Sequence, residues 1–138
     1  MKKINIFSLI LLTLTTTMSC NHTEHQEHSE KDAAIELNEG EKWTVNAEMT
    51  PFIIDTERRL KNYDQIDYKS LAQYLKENNS NLIKSCTMKD KSHDELHKWL
   101  APHLDLVKAL GKAENTEEAN KIVAELEKSL ETYNTYFK

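Results

Sequence analysis

Between residues 86 and 97 the chain reads CTMKDKSHDELH, which sets Cys86, Met88, His93 and His97 at CxMx4HxxxH spacing. Residues four apart share a helix face, so His93 and His97 can present two imidazoles to one ion. Thiolate and thioether are soft donors that favour copper, above all Cu(I). A thiolate with two imidazoles also suits zinc, which commonly ignores methionine. The amides at a helix N-terminus beside Cys86 would help hold it as thiolate. A zinc-peptidase motif is excluded, because HDELH places Glu95 two positions after the first histidine rather than one as in HExxH. Glu95 reads instead as the second half of a capping box opened by Ser92.

Four helical segments must position these side chains. In the first, Met49, Phe52, Ile53, Thr56, Leu60 and Tyr63 recur at threes and fours, and Pro51 fits only a first turn, so the helix starts between residues 46 and 50. The second covers about 65 to 86, with Leu71, Tyr74, Leu75, Leu82, Ile83 and Cys86 on one stripe. Asn78 and Asn79 interrupt that stripe and read as boundary residues, with a buried register-fixing asparagine as the alternative. The third opens at Ser92, runs to about Gly111, and should bend at Pro102. Trp99 lies off its main stripe, as cover for a boundary groove or a partner surface, and His103 reads as a surface residue. The fourth opens at the capping box Asn115 to Glu118 and carries Ala119, Ile122, Val123, Leu126, Leu130, Tyr133 and Phe137.

Helices of this kind, about 24 to 33 Å long at 1.5 Å per residue and joined by short links, specify an all-α, antiparallel up-down-up-down four-helix bundle. That topology brings the start of the first helix, the end of the second, the start of the third and the end of the fourth to one end. Met49, Cys86, Met88, His93 and His97 would meet there, with Trp43, Tyr133, Tyr136 and Phe137 around them. The competing reading is ordinary packing, since a buried cysteine and methionine at a bundle end need no ligand. A third reading is a b-type haem bundle in which Met49 pairs with His93 or His97 across an apolar slot. Covalent haem attachment is excluded because the chain has no CxxCH.

The first nineteen residues read as a lipoprotein signal peptide. Lys2 and Lys3 precede an apolar stretch of about ten residues, far short of the roughly 20 that span a bilayer, and Thr17-Met18-Ser19 leads into Cys20. Cleavage before Cys20 and acylation of its thiol would fix the protein to a membrane of the cell envelope. Cys86 would then be a lone thiol in an oxidising compartment. Residues 20–42 form a polar tether in which His22, His25 and His28 stand at HxxHxxH spacing, a loose collector for zinc or copper or simply a solvated linker. The folded domain is expected over 43–138.

Composition narrows the function classes further. With two glycines in 138 residues, Gly40 and Gly111, the chain cannot form a phosphate-binding glycine loop, and nucleotide-binding α/β folds are excluded. Lys and Arg number 18 against 23 Asp and Glu; loss of Lys2 and Lys3 leaves 16 against 23, a net charge of -7. So acidic a surface argues against nucleic-acid binding. No nucleophile-base pair or paired-carboxylate pocket stands out, so an enzyme is not expected.

The stretch CTMKDKSHDELHKWLAPH, with LNEGEKWTVNAEM upstream and the YNTYF tail, resembles a group of small lipoproteins of Bacteroidota-type bacteria that carry a CxMxGxxHxxLHxWL signature. Cys86, Met88, His93, Leu96, His97, Trp99 and Leu100 hold signature positions, and Asp90 stands where the signature has glycine. The resemblance covers nearly all of the mature domain and implies envelope location and a role for the site; it implies no reaction. The resulting expectation is a non-enzymatic envelope lipoprotein that binds copper or zinc at one bundle end. A haem bundle and a cofactor-free protein-interaction module are the alternatives.

Overall fold

The computed structural model describes residues 34–138. They form four helices, α1 (Thr50–Lys61), α2 (Tyr68–Ser85), α3 (Asp90–Lys112) and α4 (Thr116–Tyr136). No strand occurs among the described residues, only two isolated bridges. The signal peptide, Cys20 and the histidines His22, His25 and His28 lie outside the described residues.

Local chemistry accounts for most helix boundaries. Pro51 occupies the first turn of α1, where a missing amide costs nothing, and the last turn carries Arg58, Arg59 and Lys61, positive charges that suit the negative end of the helix dipole. α2 starts later than the apolar stripe suggested, because Asp67 is its cap and accepts from the Ser70 amide at 3.0 Å. α4 starts as expected: Asn115 accepts from the Glu118 amide at 2.9 Å. The return bond of the box reaches one residue further back, from the Glu114 amide to the Glu118 carboxylate. α3 continues through Pro102 without interruption.

The expected capping box at the start of α3 is not formed. The helix begins at Asp90, two residues before Ser92, whose hydroxyl donates to the Lys89 carbonyl instead. Glu95 is turned away from the helix end and is 2% exposed.

Contacts between the elements fix their directions. Asn46 meets Ser85 and Thr87, Asn78 meets Phe52 and Thr56, and Tyr74 meets Asp55, so α1 and α2 run antiparallel. Lys69 bonds the Gly111 and Ala113 carbonyls, which makes α2 and α3 antiparallel. Trp99 and His103 both reach Ser129, and Trp99 also packs on Tyr133, which does the same for α3 and α4. α1 closes the ring against α4. The result is the up-down-up-down bundle, with a core that includes Met49, Leu75, Leu96, Leu110, Ala119 and Leu126.

Two asparagines of α2 that read as boundary residues are in fact buried. Asn78 Nδ2 donates to the Phe52 carbonyl at 2.7 Å and to the Thr56 hydroxyl at 2.8 Å. A buried amide that is satisfied only in one alignment of α1 on α2 fixes their register. Asn79 is 2% exposed.

Residues 34–42, the end of the segment expected to be a tether, lie against the bundle. Asn38 and Glu41 exchange backbone bonds around Glu39 (φ 53°) and Gly40 (φ 91°), a type I′ turn. Ile35 packs on the core. The Glu36 amide donates to Glu95 at 2.8 Å, and Trp43 Nε1 returns a bond of 2.6 Å to the Glu36 carbonyl. Trp43 and Val45 then pair with the end of α4 through the Tyr136 and Lys138 carbonyls.

Candidate functional site

The α1 start, the α2 end, the α3 start and the α4 end do meet at one end of the bundle. Asn46 makes the tie on one side: its Nδ2 donates to the Ser85 carbonyl at 2.8 Å, and its Oδ1 accepts from the Thr87 amide at 3.0 Å. The Trp43 pairing with Phe137 makes it on the other. Cys86 is therefore held as the C-cap of α2, in extended conformation, as a half-buried free thiol. Met88 is half-buried against the core.

The four-residue link 86–89 turns into α3 at Asp90, whose φ of 56° is left-handed. Glycine takes this conformation without steric cost, and aspartate is among the few other residues that tolerate it.

α3 then presents the histidines. His93 and His97 lie one turn apart with their Nε2 atoms 3.2 Å from each other and ring centroids at 4.3 Å. His97 is exposed and His93 half-exposed. Eighteen residues, five helical turns, separate His93 from Gly111 on the same line of the helix, and Gly111 faces Ala72 of α2. The pair thus stands on the α2-facing edge of α3, on the side where α2 ends at Cys86.

Two ligand nitrogens at 2.0–2.1 Å from a tetrahedral ion stand about 3.3 Å apart. The His93–His97 separation matches that span with little adjustment. The same geometry also allows one neutral ring to donate to the other. Among the described residues no group of three or more His, Cys, Asp or Glu side chains is gathered around a metal-sized position. Met49 is placed differently from the others. It sits at the N-cap of α1 with no exposed surface, so its thioether is a core group in this arrangement.

Two α3 residues that read as peripheral are interior. Trp99, 2% exposed, donates from Nε1 to the Ser129 carbonyl at 2.7 Å. His103, read as a surface residue, is 1% exposed, stacks on Trp99 at 4.9 Å, and places Nδ1 3.0 Å from the Ser129 hydroxyl. Burial lowers its pKa to about 4, so it is a neutral core histidine. The cause of the misreading is the width of the apolar face, which on α3 must cover both α2 and α4. Tyr133, in the same layer, has its phenol pushed up to about 12 by burial and by Glu57.

Glu95 is the residue whose role the sequence hid. Burial pulls its carboxyl upward, but hydrogen bonds from Lys98 and from the Glu36 amide outweigh this and hold it below the usual carboxylate range. It anchors residues 34–42 on α3, and Lys98 extends the anchor to the Ala34 carbonyl at 3.2 Å. Comparison of the chain with protein-family models, curated proteins and solved structures finds no match in any of the three.

Proposed function

We propose that this protein is a non-enzymatic lipoprotein of the cell envelope, anchored through Cys20, whose bundle end binds a soft transition metal ion, copper foremost and zinc second. His93 and His97 are the principal ligands. Cys86 and Met88, on the link that leads into α3, are the soft donors nearest in the chain, and His22, His25 and His28 act as a low-affinity collector. The observation that carries the reading is the 3.2 Å separation of two accessible Nε2 atoms on one helix edge. The acidic surface, with 23 Asp and Glu against 18 Lys and Arg, suits a cation better than a nucleic acid. Buffering, delivery or sensing of the ion in the envelope would each use such a site.

Haem is a poorer fit to this packing. Met49 has no exposed surface, so ligation there would require the core to open. A cofactor-free interaction module remains the reading to adopt if no ligand binds.

The test is anaerobic Cu(I) and Zn(II) titration of residues 21–138, produced without a metal-affinity tag, alongside His97→Ala and Cys86→Ser. The expected result is stoichiometric binding that falls at least tenfold in His97→Ala, with Cys86→Ser weakening Cu(I) more than Zn(II). Unchanged affinity in both variants overturns the site. A Soret band on haem titration that Met49→Leu abolishes would transfer the reading to haem.

A further inference from the structure

The seam between α2 and α3 carries a groove of about 960 Å³ on the outside of the bundle. It extends along α2 from Lys69 to Ile83, about 21 Å at 1.5 Å per residue. The floor is apolar and made of small or aliphatic side chains, among them Ala72, Val107 and Leu104, with Ile83 left 46% exposed at one end. Gly111 helps to keep it open, since a side chain at this position would enter the seam opposite Ala72.

The rim runs against the charge of the chain. Three lysines, Lys69, Lys76 and Lys108, line the groove against Glu77 alone, in a protein of net charge -5. Lys69 is occupied by the Gly111 and Ala113 carbonyls. Lys76 and Lys108 make no ion pair among the described residues. The antiparallel register set by Ala72 and Gly111 places them across the groove from each other, one turn further along. One turn beyond Lys76, Asn79 lines the same groove at 2% exposure, and its Nδ2 is a buried donor with no acceptor. Such a group costs free energy unless something accepts from it.

We infer that the α2–α3 groove binds a single-chain amphiphile with an anionic head, of the fatty-acid class, taken up as a free monomer. The head lies between Lys76 and Lys108, and the chain runs over Val107 and Leu104 to cover Ile83. The apolar floor alone would accept any hydrophobic segment. Two lysines on opposite sides of that floor, with no ion pair among the described residues, select an occupant with a compact negative charge. This site is separate from the histidine pair and does not depend on the metal reading.

The test is an NMR titration of residues 21–138 with decanoate below its micellar concentration. Decyltrimethylammonium, with the same chain and a cationic head, is the control. The expected result is saturable shifts confined to residues 69–83 and 104–111, with decanoate at least tenfold tighter than the cation. Lys76→Glu/Lys108→Glu and Ile83→Asn change exposed side chains only, so they should keep the native spectrum while each weakens decanoate at least fivefold. Equal affinity for both heads, or shifts elsewhere on the bundle, overturns the inference. So does a concentration-dependent mass that Ile83→Asn abolishes, because the groove would then belong to a second copy of the chain.

Discussion

At the scale of single residues, His103 has the most direct consequence for stability. The folded state holds its imidazole neutral down to about pH 4, whereas the unfolded chain takes up a proton near the ordinary value of 6.5. The unfolded state therefore binds more protons between those limits, and stability rises with pH across them. The contribution is complete above 6.5 and lost as pH falls towards 4; the difference of two to three pK units corresponds to about 3 kcal/mol. Replacing His103 by Asn, which keeps a polar atom near the Nδ1 position, should flatten denaturant-derived stability between pH 6.5 and 5, where most carboxylates are still ionised. An undiminished slope would assign the dependence to another group. The sequence could not place this residue, because a histidine next to Pro102 looks the same on a surface as in a core. Its burial is set by Trp99 and Ser129, and the latter lies on another helix.

Among the elements, the helices and the segment 34–45 were legible to very different degrees. The four helices follow from apolar spacing near 3.6, and their antiparallel order follows from links of three to six residues. Asn115 showed itself as a cap by its neighbours in the chain. The docking of 34–42 did not, since it depends on Glu95, 59 residues away from its partner Glu36, and on Trp43 pairing with the last residues of α4. No local pattern reports such a contact, and SxxE spacing pointed Glu95 to the wrong task. Glu95→Ala should release this segment while leaving the bundle folded. Hydrogen exchange at the Glu36 amide and the Trp43 indole should accelerate at least tenfold, with the Leu126 and Leu130 amides of α4 unchanged. Uniform acceleration in all four helices would mean that Glu95 supports the core rather than the segment.

For the whole molecule, the bundle brings together at one end what the chain keeps apart, and this is what gives a short sequence motif a geometry. The expectation that the α1 start, the α2 end and the α3 start converge was sound, because it needed only helix number and direction. The finer expectation of five converging donors needed side-chain orientation, which spacing along a single helix does not supply. It placed His93 and His97 together, but it could not tell that Met49 would be enclosed. No described helix is long and apolar enough to cross a membrane.

On the proposed site, His93 and His97 hold one ion through their Nε2 atoms. Imidazole 15N NMR of residues 21–138 with and without one equivalent of Zn(II) reads those nitrogens individually. Nε2 of both His93 and His97 should move to metal-bound shifts on addition of the ion, with His103 unaffected. Metal-bound shifts confined to His22, His25 and His28, with the Nε2 signals of His93 and His97 unmoved, would contradict the proposed site.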